Sequence, residues 1–316
     1  MIRYKNYKLV KPNSLIGDLI TKYNGSIFHD VELNKIIEKN FNSELFYLVD
    51  NPKNPQHAAV VHITKNILGL KKYNIRPLSD IPYAGFVGNE EVDFNAFSVG
   101  FFESISYAGF PYTKNTKEVK NVSIGETAMV DLTLNEDDIF NSVIHSKRRN
   151  MIRKAISEGI TVKAYFSTEG LNFFWPLLNE LHKKLGYTKL AYNYYNEILE
   201  TFAHKKQTFI LIAFKNDTPV SGVFILGNQN FMHYYKGASC FEAKNEGQGE
   251  LLQWEAIKLA KSLGAIKYDL CNLNKDGLPE IYRFKTGISR DIFNYQKYTQ
   301  SSFGYKIVNR IIKTFS

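Results

Sequence analysis

Apolar-rich runs separated by short polar turns over residues 208–272 predict three successive strands followed by a helix and a fourth strand. Runs rich in Ile, Val, Phe and Tyr between short Asn, Asp or Gly turns are typical of strands, and the later stretch repeats apolar residues at helical spacing. The predicted strands are 208–217, 219–228, 230–239 and 265–272, and the helix is 248–263. This order of elements predicts a mixed α/β sheet.

The remaining pattern predicts two units that follow one another along the chain. Residues 135–160 predict a long helix, since acidic residues occupy its first turn, basic residues its later turns, and Gly159 its end. Further predicted elements are helices at 26–40, 95–109, 171–187 and 192–206 and strands at 44–50, 58–66 and 123–134. Both halves show the order helix, hairpin strands and helix, which predicts two α/β domains at 1–130 and 131–300. A tail helix is predicted at 301–316, where it docks on the body of the protein.

Composition limits the class of protein. The 316 residues are 44% hydrophobic and 22% charged, which is ordinary for a soluble globular chain. A net charge of +9 favours polyanionic partners such as nucleic acid, nucleotide-linked sugars or anionic lipid headgroups. No cleavable leader or apolar run long enough to span a membrane is visible, so we predict no transmembrane segment.

The two cysteines, Cys240 and Cys271, fit neither a metal motif nor a disulfide framework. They indicate a reducing compartment. We therefore expect a cytoplasmic protein, placed at the inner face of the membrane if its acceptor is lipid-linked, with no metal site.

A glycine loop precedes the predicted helix at 248–263. Gly247 and Gly249 allow a ligand close to the backbone, and the first N–H groups of the helix have no intrahelical acceptor. Lys244, Gly247 and Gly249 are therefore candidates for binding the pyrophosphate of a donor. The alternative is an ordinary turn before a helix.

Two further segments carry candidate chemistry. The helical run 145–155 concentrates basic residues, among them Arg148 and Arg149, and a guanidinium suits phosphate or carboxylate. The alternative is a solvated basic face. In the predicted turn 282–289, Lys285 follows Phe284 near the end of the sheet, where an ammonium can stabilise a developing oxyanion.

These segments together resemble the FemAB family, the aminoacyl-tRNA-dependent transferases that build peptidoglycan cross-bridges within the GNAT superfamily. The strings that carry the resemblance are Asp131-Leu132, the run from Lys147 to Ala155, Tyr234 to Ser239, Leu251 to Ala256, Tyr268-Asp269-Leu270 and Phe284-Lys285-Thr286-Gly287. The likeness covers about residues 125–295, and the first half resembles the family only through Ile27-Phe28-His29 and Ile81-Pro82-Tyr83.

The resemblance implies two GNAT-like domains in tandem and assigns roles to residues. Lys285 would bind the donor carbonyl or leaving group, and Phe284 would wall the donor channel. Arg148, Arg149 and Tyr235 would hold a phosphate-bearing acceptor. The helical-hairpin arm that longer members carry for tRNA is not visible. The donor therefore stays open between aminoacyl-tRNA and acyl-CoA, with no tightly bound cofactor.

Three functions follow as expectations. The first is aminoacyl transfer to an amine of a peptidoglycan precursor. The second is acyl-CoA-dependent N-acylation of an amino sugar, carried on a nucleotide or a lipid. The third is a non-catalytic module that binds a polyanion. No Ser or Cys is framed by a His and an acid in sequence, which favours direct attack by the acceptor amine. The tail 303–316 is a basic amphipathic helix, which docks on the protein or contacts a membrane surface.

Overall fold

The computed structural model describes residues 3–66, 68–78, 81–88, 93–111, 122–186 and 191–315. The chain forms two compact units, one of Met1–Gly125 with Asn294–Ser316 and one of Glu126–Phe293. The boundary predicted at 130/131 falls a few residues later than this division. The first unit contains both ends of the chain, and it includes the tail helix, in line with the expectation that the tail docks on the first domain.

The first half of the chain contains eight strands and two α-helices among the described residues. In chain order they are β1 Arg3–Tyr4, β2 Lys8–Val10, α1 Ser14–Lys22, α2 Val31–Asn40, β3 Glu44–Val49, β4 Ala58–Lys65, β5 Lys71–Ile75, β6 Phe86–Val87, β7 Phe97–Ser98 and β8 Glu103–Ala108. Short 3₁₀ helices lie at Ile27–His29 and Phe94–Ala96.

The rest of the described chain continues the series from a long strand. In chain order the elements are β9 Val122–Asp131, α3 Glu136–Asp138, a π-helical turn Ile139–Val143, α4 Ser146–Ser157, β10 Thr161–Tyr165, α5 Thr168–Leu185, α6 Tyr192–Phe202, β11 Thr208–Lys215, β12 Thr218–Gly227, β13 Phe231–Ser239, α7 Gln248–Ser262, β14 Lys267–Asp269, α8 Pro279–Ile288, β15 Asp291–Ser301 and α9 Phe303–Phe315.

In the first unit the strand order is β15-β8-β5-β4-β3-β2, with β6 beside β4. The pairs are antiparallel except for β5 and β8, which are parallel. Aromatic side chains fill much of the core, among them Tyr4, Phe86, Phe94, Phe97, Tyr107 and Tyr298. This packing explains many of the chain's tyrosines and phenylalanines.

The helix predicted at 95–109 is wrong. These residues form a 3₁₀ turn and the strands β7 and β8. Strand β8 pairs with β5 on one side and β15 on the other, so long-range pairing overrides the local apolar spacing.

In the second unit the strand order is β10-β11-β12-β13-β14-β9. The pairs are antiparallel except for β13 and β14, which are parallel and joined through α7. Helices α4 and α7 bury one face in the core, through Ile152, Ala155, Leu252, Ala256 and Ile257. The predicted order of strand, helix and strand is therefore present. The structure adds that the two strands are parallel.

Two predicted elements near the site differ from the structure. The single helix at 135–160 is interrupted, since Ile144 is extended and His145 caps a new helix, α4. Residues 282–288 are not a turn but belong to α8, which begins at Pro279. Gly287 suggested a turn, yet it lies inside the helix, where an added Cβ would come within 2.6 Å of Nε of Arg148. Across the described residues, no helix combines the length and the apolar character needed to cross a bilayer.

Candidate active site

The candidate site lies in the second unit, where two parallel strands part. β13 and β14 pair at three positions, the last being His233 with Asp269. β14 ends there, whereas β13 continues to Ser239. A cavity of about 1260 Å³ is lined by β13 beyond this point and by parts of α4, α7 and α8. Such a splayed pair leaves an opening beside the N-terminus of the connecting helix.

The first turn of α7 forms one wall of the cavity, through Gln248 and Gly249. Gly247 caps the helix with φ +93°, and a Cβ there would lie 2.1 Å from the carbonyl oxygen of Met151. Only glycine fits this position. At Gly249 a Cβ would meet Cε2 of Phe284 at an ordinary 3.7 Å, so this glycine keeps the cavity open and is not required by the backbone.

The loop before α7 satisfies its own backbone groups. Asn245 Oδ1 accepts from the N–H of Gly247 at 3.2 Å, and Gln248 Oε1 accepts from the N–H of Glu246 at 2.8 Å. Gln248 Nε2 donates back to the carbonyl of Lys244 at 3.2 Å. The N–H groups of Glu246 and Gly247 are thus already engaged within the loop. Lys244 is exposed and does not line the cavity, whereas Gly249 does.

Arg148 is brought to the cavity wall by α4. Its Nη1 donates to Oε1 of Glu250 at 2.7 Å, and its Nη2 donates to the carbonyl of Arg283 at 3.1 Å. The guanidinium carbon lies 5.4 Å from the ring centroid of Phe284, which also lines the cavity. Arg148 therefore links α4, α7 and α8 and presents a planar cation beside an aromatic wall.

Arg149 and Tyr235 do not line this cavity. Arg149 Nη1 donates to the carbonyls of Asn141 and Ile144, at 2.7 and 2.6 Å, and so satisfies the end of the π-helical turn. The hydroxyl of Tyr235 lies 2.8 Å from that of Tyr194 in a buried pair. Its neighbour Tyr234 lines the cavity instead. The acceptor-binding roles of Arg149 and Tyr235 remain predictions.

Lys285 lies behind the cavity wall. Consecutive helical residues point about 100° apart, so Phe284 faces the cavity and Lys285 faces the interior. The ammonium donates to the carbonyls of Cys271 at 2.7 Å and Asn272 at 3.3 Å, just beyond β14. It also lies 5.4 Å from the ring centroid of Tyr234.

Burial lowers the pKa of Lys285, while the charges of Cys271 and Asp269 oppose the shift. Its hydrogen bonds to the residues just beyond β14 place the ammonium where β13 and β14 part, with the ring of Tyr234 beside it. Its catalytic role remains a prediction.

A buried cluster of His233, Asp269 and Cys271 was not predicted from the sequence. Asp269 Oδ1 accepts from the hydroxyl of Thr127 and from the N–H of Cys271, and its Oδ2 lies 2.9 Å from His233 Nδ1. The parallel register of β13 and β14 places His233 beside Asp269, and no spacing along the chain reveals it.

This cluster does not activate Cys271 as a nucleophile. The thiol lies 3.9 Å from the same imidazole nitrogen that faces Asp269, so the imidazole does not relay between acid and thiol. Burial and the neighbouring Asp269 raise the pKa of Cys271, and burial raises the pKa of Asp269 to about 7. The three ligand atoms lie within 4.8 Å of one another, but the charges of Lys285 and Lys236 also act on the thiol, which disfavours a metal cation.

Comparison with known proteins agrees with the fold. The sequence model of the FemAB family matches residues 74–216. The crystal structure of FemX aligns with a TM-score of 0.66 at 13% identity, covering 96% of this chain and 99% of FemX. The C-terminal domain of a "Putative Lysylphosphatidylglycerol Synthetase" from Agrobacterium fabrum aligns with a TM-score of 0.54 at 9% identity, covering 94% of this chain and 96% of that domain. Among curated protein sequences no relative matches the chain.

These findings confirm the predicted resemblance to the FemAB family and the predicted class of fold, a mixed α/β sheet in two tandem units. The matched residues begin earlier than the likeness seen in the sequence and end before the glycine loop. They include Arg148 and Arg149 but neither Gly249 nor Phe284 and Lys285. The structural likenesses, at these identities, establish the fold alone.

Proposed function

We propose that this protein is a FemAB-like transferase that moves an aminoacyl group from an activated ester onto an amine of a peptidoglycan or other cell-envelope precursor. The observation that carries the proposal is the cavity where β13 and β14 part, lined by the first turn of α7, the ring of Phe284 and the cation of Arg148. This arrangement would offer space for a carbonyl, an apolar wall and a cation for an anionic group.

The chemistry requires few protein groups. The acceptor amine attacks the ester carbonyl carbon, and the carbonyl oxygen takes the negative charge of the tetrahedral intermediate. The C–O bond to the donor then breaks, the amide forms, and the proton lost by the amine leaves with the released hydroxyl. Positioning of the two reactants supplies much of such a rate enhancement. Stabilisation of the negatively charged oxyanion also lowers the barrier. Lys285 is the predicted cation for this stabilisation.

Charge around the cavity suits a phosphate-bearing acceptor. Its lining includes Lys147, Arg148, Arg283 and Arg290 against the carboxylates of Glu250 and Glu280. Arg148 and Glu250 pair with each other, which leaves an excess of positive charge at the opening. A nucleotide-linked or lipid-linked precursor carries phosphate groups that match this excess.

As the donor, an aminoacyl ester such as charged tRNA fits this site better than acyl-CoA does. A CoA pyrophosphate would find the loop N–H groups of Glu246 and Gly247 already bound by Gln248 and Asn245, which leaves it those of the first turn of α7. N-acylation from CoA remains the second candidate, since Gly249 keeps space in front of the helix N-terminus.

The test is a transfer assay with purified protein. Charged tRNAs and short-chain acyl-CoAs serve as donors, and muropeptide precursors and amino-sugar nucleotides as acceptors. Amide formation from charged tRNA supports the proposal, and turnover with acyl-CoA alone replaces it by the second candidate. No transfer from either donor, with salt-sensitive polyanion binding retained, would indicate a binding module instead.

A further inference from the structure

The tail helix α9 exposes a row of large apolar side chains. Phe303 is 73% exposed, Ile307 45% and Ile311 51%. Residues four apart lie on one face of a helix, so these three form a continuous stripe. The neighbouring row, about 100° around the helix, is directed to the protein, since Gly304 is buried and Val308 and Ile312 are half-buried.

A turn of the first unit extends this stripe. The backbone carbonyl of Phe101 accepts from the N–H of Tyr305 at 3.2 Å, which fixes the start of α9 beside residues 101–102. Phe101 and Phe102 are 63% and 50% exposed, and their rings meet edge to face at 4.8 Å. We call Phe101, Phe102, Phe303, Ile307 and Ile311 the α9 surface.

Basic side chains flank the α9 surface on one side. Lys306 and Arg310 are exposed, and each directly precedes an isoleucine of the stripe. Helix α9 contains no acidic residue. Since consecutive positions differ by about 100°, the two cations form their own row along the apolar stripe. An apolar stripe beside a basic row is typical of a helix that lies in the plane of a membrane interface.

We propose that the α9 surface binds the interface of an anionic lipid bilayer. Its aromatic and aliphatic side chains would enter the boundary between headgroups and acyl chains, and Lys306 and Arg310 would meet lipid phosphates. A second copy of the chain fits less well. Paired α9 surfaces would bring their own basic rows together, whereas anionic lipid neutralises them.

This inference goes beyond the proposed transfer reaction and does not depend on it. Binding through α9 would hold the protein at the surface where lipid-linked precursors are found. It is also measurable without any substrate, so a failure of the transfer reaction and a failure of membrane binding are distinguishable.

The experiment is co-sedimentation of the full chain with vesicles of phosphatidylcholine alone or mixed with phosphatidylglycerol, at low and high salt. The apolar variant is F303S/I307S, and the charge variant is K306E/R310E. The matched control is Ile156→Ser, because Ile156 is an isoleucine of helix α4 that is 59% exposed, in the other unit. All these positions are exposed, and a thermal melt of each variant verifies its fold.

We expect the wild type and the Ile156→Ser variant to sediment with the anionic vesicles, less so at high salt. Each α9 variant should bind at least about tenfold more weakly. Absence of wild-type binding to anionic vesicles would overturn the proposal, as would undiminished binding of both α9 variants. Self-association of the wild type without vesicle binding, lost in F303S/I307S, would assign the surface to a second copy instead.

Discussion

Arg148 and Glu250 form an ion pair of 2.7 Å that joins α4 to the first turn of α7 at the cavity wall. The Arg148 side chain is 24% exposed and that of Glu250 only 6%. The carboxylate is therefore almost fully removed from water and depends on this guanidinium, while the guanidinium keeps a face towards the cavity. One residue thus carries both a structural role and a candidate role in binding.

The double variant R148M/E250Q separates these roles. Arg148→Met alone leaves a buried carboxylate without its ionic partner and should lower the free energy of unfolding by about 1–3 kcal/mol. Adding Glu250→Gln removes the uncompensated charge and should restore most of that stability. Transfer should stay low in the double variant, with KM for the acceptor raised, because the cation is still missing. Chemical denaturation and steady-state kinetics measure the two effects, and recovery of both would mean that the pair is structural only.

The space in front of Gly249 should be needed for donor binding. Gly249→Ala adds a methyl group at ordinary contact distance from Phe284, so both fold and transfer should persist. Gly249→Trp should block the space beside Phe284 at the start of α7 and abolish donor binding while the protein still folds. Gly247→Ala is the contrasting variant, because its φ of +93° and the nearby Met151 carbonyl should cost more than about 1 kcal/mol of stability. Thermal melts and donor titration distinguish these cases, and full activity of Gly249→Trp would exclude this cavity as the donor site.

Lys285→Met tests the predicted catalytic cation. If the ammonium stabilises the oxyanion, kcat should fall by about 10²–10³ with little change in KM. Stability should also fall by about 1–3 kcal/mol, because the carbonyls of Cys271 and Asn272 lose their donor.

The matched control is Lys236→Met, which removes another lysine near Cys271, one whose pKa burial lowers to about 7. Its rate should stay within about tenfold of the wild type, since no catalytic role is assigned to it. Equal rates for Lys285→Met and the wild type would refute the catalytic role of Lys285.

Acid should destabilise the first unit through His29. The neutral ring fits its buried site, with Nδ1 accepting from the N–H of Ser26 at 3.2 Å and Nε2 donating to the carbonyl of Ala84 at 2.8 Å. Burial lowers the pKa of His29 to about 4 from 6.5. Below pH 6.5 the unfolded chain binds a proton that the folded chain does not accept until about pH 4.

Stability is therefore lost as pH falls between these values, by about 3 kcal/mol in all from this residue. Denaturant titrations at pH 7 and pH 5 should show a smaller difference for His29→Gln than for the wild type. The same difference in both proteins would contradict this assignment.

Local pattern predicted the elements that frame the site. The apolar runs of β11, β12 and β13 and the helical spacing of α7 are local signals, because these elements bury most of their side chains. Gly247 was predicted to let a ligand approach the backbone, whereas in the structure its close neighbour is the carbonyl of Met151, so the ligand contact remains a prediction. Arg148 was identified as an anion-binding candidate and does line the cavity.

Which of two neighbouring side chains faces the cavity was not readable from the sequence. The pairing of β12 with β13 shifts register, so that Phe224 lies opposite Lys236 and Ile225 opposite Tyr234, with Tyr235 as the extra residue. Such a bulge interrupts the strict alternation of a strand. Tyr234 lines the cavity, while Tyr235, the extra residue, pairs with Tyr194.

The sequence by itself determined the class of fold, the order of strands and helix around the opening, and the basic character of its surroundings, because these follow from local periodicity and composition. Tertiary structure decided that residues 282–288 are helical, that Phe284 lines the cavity while Lys285 is buried behind it, and that His233 meets Asp269. The physical reason is that strand register, bulges and long-range pairing depend on contacts between residues far apart in the chain, which no short window of sequence contains.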